Sequence, residues 1–197
     1  MSKHIDNFIQ KRYGRISHLM LIGGIAAATL LTGAPVADPQ DGHSHHDDLG
    51  STANAKLVDI VRNSTRQFQD VNAAVSAKYQ PLFGCVSGPD HGAMGIHYIN
   101  LALFGDGEVD ATKPEALIYE PSNGGFRLVG VEYLVDAATW LAHHNAPPEL
   151  EGQAFQFVSS PNRFGLPAFF ELHVWAWRNN PAGAFVDWNN HVTCEGQ

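Results

Sequence analysis

The segment "FFELHVWAW" carries residues whose types and spacing can do chemistry. Glu171, His173, Trp175 and Trp177 alternate along it with apolar residues. Successive side chains of a β-strand point to opposite faces, so these four residues share one face if the segment is a strand. A carboxylate and an imidazole two positions apart can then reach the same ion, and both groups are ligands of zinc, iron and copper. The pattern therefore indicates a metal or ligand site on this face.

Two further strand-like segments offer polar groups of the same kinds. His97 lies in "GIHYIN", and Glu132 interrupts the apolar segment "RLVGVEYLV". If these strands are neighbours with the same face inward, they bring two imidazoles and two carboxylates together, which is the ligand set of a metal site with open positions. We predict that the metal ligands are His97, Glu171 and His173. Glu132 is expected to be a catalytic base or a supporting carboxylate. The wall of a ligand pocket is expected to include Tyr98, Trp175 and Trp177.

The same residues also have a purely structural interpretation. Glu132 can be an exposed residue of a one-sided sheet, and His173 can be a core histidine that is hydrogen-bonded beneath an indole. Glu171 can be the ion-pair partner of Arg178 or Arg127. Large aromatic residues are used in cores as well as in ligand pockets. The sequence leaves both interpretations open.

The N-terminus predicts export. Four basic residues precede the apolar segment Leu19–Leu31, which is short for a membrane span and fits the apolar part of a secretory signal. We assign residues 1–37 to an export signal or an uncleaved N-terminal anchor. The polar, histidine-rich residues 38–54 are predicted to be a flexible leader, and residues 55–197 a single domain. The expected location is periplasmic or extracellular.

The charge of the chain narrows the classes of partner. Residues 1–37 contain four of the 12 lysines and arginines but one of the 20 acidic residues, which leaves 8 basic against 19 acidic residues and a net charge of −11. This charge argues against nucleic acid and against an anionic membrane surface as partners. Contact with a membrane is expected only through an uncleaved N-terminal segment, whereas a small molecule remains a plausible partner.

The two cysteines are predicted to form a disulfide. Cys85 and Cys194 are the only cysteines of the chain, and an even pair in an exported protein favours a disulfide over two free thiols. Their wide spacing excludes a C-x-x-C redox or zinc motif. The bond would tie the C-terminal end of the chain to the start of the strand-rich region.

The order of helix and strand signals predicts an α+β fold. Helices are expected over residues 56–68 and 70–79, followed by strands separated by turn residues. The segment "EPSNGGFR" predicts a hairpin turn, and "DAATWLAHHN" predicts a short helix that begins after Asp136. We expect an N-terminal helical pair packed on a mainly antiparallel sheet, either open or barrel-like. The strands are expected over residues 95–100, 115–120, 127–135, 154–158 and 169–177.

Several sequence blocks occur together and in order: "GAMGIHYIN", "KPEALIYEPSNGGFRLVGVEYLV", "FGLPAFFELHVWAWRNNPAGAF" and "DWNNHVTC". Taken together, they resemble a group of short exported bacterial proteins of unassigned function. The similarity extends from about Phe68 to Cys194 and implies a single exported domain, but it brings no activity.

Two functional hypotheses follow from the candidate site. The first is a metal-dependent enzyme that acts on a small organic molecule with zinc, iron or copper as cofactor. The second is a non-catalytic periplasmic or extracellular protein that binds a small ligand or a metal. Signatures of nucleophilic hydrolases, phosphate loops and dinucleotide-binding folds are absent from the sequence after the export signal. Whether the protein is an enzyme is not decided by its sequence.

Overall fold

The computed structural model describes residues 47–196, with side chains from Asn54 onward. The predicted export signal or anchor, and the leader as far as residue 46, lie outside the described residues. Within the described residues, none of the helices is both long and apolar enough to cross a membrane.

The described chain begins with helices. Helix α1 spans Asp47–Thr65 and is followed by a 3-10 turn, Arg66–Gln69, and by the short helix α2, Val71–Ser76. Asp70 caps α2, because its side chain accepts a hydrogen bond from the Asn72 amide. Helix α1 begins eight residues before the predicted start of the domain at residue 55, so residues 47–54 are helical rather than part of a flexible leader. The later turns of α1 pack on the sheet, and such packing stabilises a helix whose first residues are polar.

The remaining elements are mostly strands. In chain order they are β1 (Gln80–Pro81), β2 (Val86–Gly88), β3 (Gly92–Ile99), α3 (Leu101–Phe104), β4 (Ala116–Ser122), β5 (Gly125–Asp136), α4 (Ala137–His143), β6 (Glu149–Leu150), β7 (Gln153–Ala154), β8 (Gln156–Val158) and β9 (Phe169–Val174). Seven of these strands form one sheet in the order β1-β3-β4-β5-β9-β8, with β2 also paired to β3. Strands β6 and β7 form a separate hairpin.

The architecture confirms the α+β prediction. The strand pairs are antiparallel, and the sheet is open, so the barrel-like alternative is wrong. The predicted hairpin joins β4 to β5 at the pair Ser122 and Gly125. The predicted short helix is α4, which Asp136 caps by accepting a hydrogen bond from the Thr139 amide. Strand β9 ends at Val174, three residues before the predicted end at Trp177.

The two faces of the sheet are covered differently. The first, which we call the helix face, packs against the helices. The core between them contains Leu57 and Val61 of α1 together with Tyr119, Leu172 and other large residues of the sheet. The second, which we call the site face, carries two separate apolar clusters. One cluster is built around Ala93, Ile118, Val129, Trp175 and Val192, and the other around Ile99, Phe104, Ala116, Leu134 and Phe169.

The predicted disulfide is confirmed. Cys85 and Cys194 are bonded across a sequence separation of 109 residues. The bond fixes the C-terminal segment, which lies over the site face, to the loop before β2. Closing a loop of this length is worth about 4 to 5 kcal/mol in the chain-entropy model.

Candidate metal centre

Strand register brings the predicted polar residues onto the site face. Glu132 on β5 lies opposite His173 on β9, and Leu134 on β5 lies opposite Glu171. His97 lies on β3, on the other side of β4. Ala116 of β4 pairs with Glu132, and its small side chain leaves space above β4. His97 and Glu132 therefore meet across the intervening strand.

The shortest polar contacts centre on Glu132. Its Oε2 is 3.3 Å from Nε2 of His97, and its Oε1 is 3.7 Å from Nδ1 of His173. The two imidazole rings are perpendicular, with centroids 5.9 Å apart. Each of these three residues is buried and offers a ligand atom within 4.8 Å of the others, so together they can hold one metal ion. We call them the inner set.

A second set of ligands overlaps the first at His173. It comprises Glu171, His173 and Asp187, again with one ligand atom each within 4.8 Å of the others, and we call it the outer set. Oδ1 of Asp187 is 3.7 Å from Nδ1 of His173 and accepts a hydrogen bond of 2.9 Å from the side-chain amide of Gln156. Asp187 was missed by sequence analysis, because it lies in an irregular segment with no strand periodicity to mark its direction.

Buried imidazole nitrogens lack partners in this centre. Nδ1 of His97 and both ring nitrogens of His173 find no hydrogen-bond partner in the part of the chain that the structure describes. Leaving a buried polar atom unpaired costs about 1 to 3 kcal/mol, and such atoms are rare in folded proteins. Three of them in two neighbouring histidines indicate a site that is completed by a group outside the described residues.

Burial keeps both histidines neutral. It lowers the pKa of His173 to about 3, and burial together with the neighbouring His173 lowers the pKa of His97 to about 3, against the opposing effect of the Gly95 backbone. A neutral imidazole has a free lone pair on one nitrogen, which is the form that ligates metals. At neutral pH the two rings are therefore ready to bind a cation.

The carboxyl groups respond to burial in the opposite direction. Burial, and then the charge and hydrogen bond of Glu171, raise the pKa of Glu132 well above its usual range. Burial raises the pKa of Glu171 to about 6; the hydrogen bond with Glu132 opposes this shift and Asp187 adds to it. Burial also raises the pKa of Asp187. A bound cation would favour the ionised carboxylates and so oppose these upward shifts of pKa.

A cavity of about 20 Å³ adjoins these residues. Such a volume holds about one water-sized group, far less than the several hundred Å³ of a site for an organic ligand. Its polar wall is formed by His97, Glu132 and Glu171, and its apolar wall includes Phe83 and Phe164. The space beside the carboxylates therefore suits an ion and a small ligand of that ion.

Only one of the three predicted pocket aromatics lies near the centre. The indole of Trp175 is stacked near His173, with ring centroids 6.2 Å apart. Tyr98 and Trp177 belong to the helix face instead, where Tyr98 packs against Tyr119 and the Trp177 indole donates to the hydroxyl of Thr65. Their placement in the pocket is thus corrected. Tyr98 follows His97 in the strand and so points the other way, and Trp177 lies beyond the end of β9, where strand alternation no longer applies.

The structural alternatives for the polar residues are also resolved by their contacts. Glu132 is buried rather than exposed on a one-sided sheet. Arg127 pairs with Glu120, and Arg178 donates to the backbone carbonyl of His191, so neither arginine neutralises Glu171. The predicted ion pair between Glu171 and one of these two arginines is therefore not formed.

Comparisons of the chain with protein-family models, curated proteins and solved structures found no match. The fold and centre define an open-sheet α+β protein with a buried cluster of histidines and carboxyl groups. Function is therefore inferred from the residues of the centre.

Proposed function

We propose that the protein binds one divalent transition-metal ion through the inner set, His97, Glu132 and His173. The observation that carries this proposal is the group of unpaired imidazole nitrogens beside a buried carboxylate. A metal ion held between these residues supplies a partner for Nδ1 of His173, the unpaired nitrogen that lies 3.7 Å from Glu132, and its positive charge compensates the carboxylates. Two imidazoles and one carboxylate are ligands of zinc and of non-haem iron, and imidazole also binds copper.

The setting supports an exported metal-binding protein. The disulfide is typical of periplasmic and extracellular proteins, in which thiols are oxidised. The volume beside the ligands accommodates an ion and one small ligand without an organic substrate. Binding, storage or delivery of a metal thus needs no part of the molecule beyond the centre itself.

The test is a metal titration of the folded protein. Protein treated with a chelator and then dialysed is titrated with Zn²⁺, Cu²⁺ and, without oxygen, Fe²⁺, and the bound metal is measured by calorimetry and elemental analysis. We expect one tightly bound ion per chain. His97→Ala should lower the affinity at least about tenfold, whereas His143→Ala, which removes an exposed histidine at the end of α4, should leave it unchanged. Equal affinities in these two variants would reject the centre.

A metal-dependent enzyme acting on a small organic molecule is the second candidate. It is favoured by two buried carboxyl groups on the wall of one cavity, Glu132 and Glu171, whose pKa values burial raises beside the ligand set. The sequence assigned Glu132 as the base and Glu171 as a ligand, but the distances favour Glu132 as the ligand and leave Glu171 as the acid or base. A substrate would have to enlarge the 20 Å³ cavity.

The two candidates differ in what Glu171→Gln changes. The metal-loaded wild type and this variant are compared in hydrolysis and oxidation assays of small esters, phosphoesters and phenols. Metal-dependent turnover that falls in the variant while metal content persists supports the enzyme. A metal-loaded wild type without turnover supports the binding protein.

A further inference from the structure

A surface groove adjoins the buried centre at Asp187. It has a volume of about 440 Å³ and is lined by His91, Gln156, Ala182, Val186, Asp187 and Trp188. The side chain of Asp187 is 26% exposed, whereas that of His173 is 1% exposed. Asp187 is therefore the carboxylate through which solvent in the groove meets the buried imidazole.

We propose that the metal ion enters from this groove, binds first to the outer set and is then passed on His173 to the inner set. This inference rests on the proposed metal binding. Asp187 is the entry ligand, and the class of ligand is the same divalent transition-metal ion. The route assigns a role to the carboxylate that sequence analysis missed.

The distances at His173 carry this inference. Its Nδ1 is 3.7 Å from Oε1 of Glu132 and 3.7 Å from Oδ1 of Asp187. A ring nitrogen has one lone pair and ligates one ion at a time. Because Nδ1 is equally close to an inner and an outer carboxylate, an ion held by this nitrogen can exchange Asp187 for Glu132 without leaving His173.

The other side of the centre offers a poorer route for a cation. The small cavity beside Glu132 is walled by apolar residues, including Phe83, Phe164 and Leu166. A hydrated ion passing these apolar residues would lose water before it reached the polar wall of the cavity, which is costly. A carboxylate at the entrance instead attracts the cation and replaces part of its hydration shell.

Gln156 holds the entry ligand in place. Its side-chain amide donates a 2.9 Å hydrogen bond to Asp187 Oδ1, the same oxygen that faces His173. Gln156 lies on the edge strand β8, opposite Glu171 of β9. It is thus a positioning residue, which aims Asp187 at His173.

The experiment measures the rates and the equilibrium of metal binding in the same protein. Cu²⁺ is mixed rapidly with the metal-free chain, and loading is followed by quenching of tryptophan fluorescence, since Trp175 stacks near His173. Release is followed after mixing with excess chelator, and chelator competition gives the dissociation constant. For Asp187→Asn we expect loading and release both to slow by about tenfold, with a dissociation constant within about threefold of wild type.

Two further variants keep the result interpretable. Glu108→Gln removes one negative charge from the loop between α3 and β4, outside the groove, and should leave both rates unchanged. Gln156→Ala keeps the carboxylate but removes its hydrogen bond, and should slow loading by a smaller factor. It also serves if Asp187→Asn does not fold, as judged by circular dichroism.

The outcomes separate this inference from the proposed function. Loading of Asp187→Asn at the wild-type rate overturns the route but leaves metal binding intact. A loss of affinity as large as that of His97→Ala overturns it too, because Asp187 is then a permanent ligand. If wild type binds no Cu²⁺, Zn²⁺ or Fe²⁺, the metal function fails and the route fails with it.

Discussion

The helix face and the site face of the sheet differ in whether their buried polar atoms have hydrogen-bond partners. On the helix face the hydroxyls of Tyr79, Tyr119 and Tyr133 donate to the backbone carbonyls of Pro114, Phe68 and Ala111 at 2.6 to 2.7 Å. On the site face His97 and His173 leave three ring nitrogens without a partner in the described chain. The three tyrosine hydroxyls of the first face are paired within the described chain, whereas the imidazole nitrogens of the second need a group from beyond it.

This difference separates scaffold from site more clearly than residue type does. Both faces contain buried aromatic rings, and both carry buried carboxyl groups. Glu115, for example, accepts a hydrogen bond of 2.9 Å from the Leu134 amide. Glu132 instead lies between two imidazoles, and burial together with the neighbouring Glu171 raises its pKa. A buried polar group indicates a ligand site only when the chain does not supply its partners.

The largest effect is expected from a pair of neighbouring residues on opposite faces. Leu172 is buried against the helix-face core, so Leu172→Ala leaves a cavity and should lower the free energy of unfolding by about 2 to 5 kcal/mol. His173→Ala removes two unpaired nitrogens, and in metal-free protein its cost should be well below that of Leu172→Ala. Urea unfolding of both variants without metal measures the difference. Equal destabilisation, together with unchanged metal content, would make His173 a core residue.

Metal should stabilise the protein through the site face alone. An ion that binds only the folded state at 100 times its dissociation constant adds about 2.7 kcal/mol to the free energy of unfolding. The melting temperature of wild type should rise accordingly in thermal denaturation with added metal. The rise should be retained in His143→Ala and lost in His97→Ala. A rise that persists without His97 would place the bound ion elsewhere.

The pH dependence of stability should expose Glu115 on the helix face. Burial raises its folded-state pKa to about 8 from an ordinary value of 4.5. Above pH 4.5 the unfolded chain releases this proton while the folded chain keeps it, so unfolding becomes progressively easier until about pH 8. Glu115→Gln removes this penalty, which the raised pKa limits to less than about 5 kcal/mol. Because local relaxation and entering water lessen the cost of a buried charge, the variant should be more stable than wild type by on the order of 2 kcal/mol at pH 8. The gain should vanish near pH 4.5. A difference that does not change with pH would contradict the raised pKa.

Much of the fold and part of the centre followed from local patterns. Strand alternation predicted that Glu171 and His173 share a face, and antiparallel pairing then brought them to Glu132. These features are predictable because a period of two is imposed by the strand itself. The predicted helices and the hairpin likewise rest on caps and turn residues that act locally.

Other parts of the centre depend on where the chain leaves the sheet. Strand β9 ends at Val174, and the next residue packs over Gly130 of β5, where a Cβ atom would lie 2.8 Å from the Val174 carbonyl oxygen. Gly130 lies 44 positions before Val174, and its lack of a side chain permits the turn after β9 that brings Trp177 to the helix face. Asp187 is brought to His173 by an irregular segment held through its hydrogen bond with Gln156 and through the β-bridge between Ala93 and Asn189. No local sequence pattern records such contacts.

The smallest expected effect tests whether the helix face is complete in itself. Tyr119 is fully buried, and its hydroxyl donates a 2.6 Å hydrogen bond to the Phe68 carbonyl in the 3-10 turn between α1 and α2. Tyr119→Phe deletes the donor and leaves that carbonyl unpaired, so it should cost about 1 to 2 kcal/mol in urea unfolding. The matched control is Tyr98→Phe, because the Tyr98 ring packs 4.9 Å from that of Tyr119 and its hydroxyl has no acceptor among the described residues. The control should change stability by less than about 0.5 kcal/mol, a value typical of positions without a lost partner.

Metal affinity should be the same in both variants, since neither hydroxyl lies on the site face. A Tyr119→Phe variant as stable as Tyr98→Phe would mean that the hydrogen bonds of the helix face contribute little, and that unpaired nitrogens on the site face are a weaker sign of a ligand than proposed.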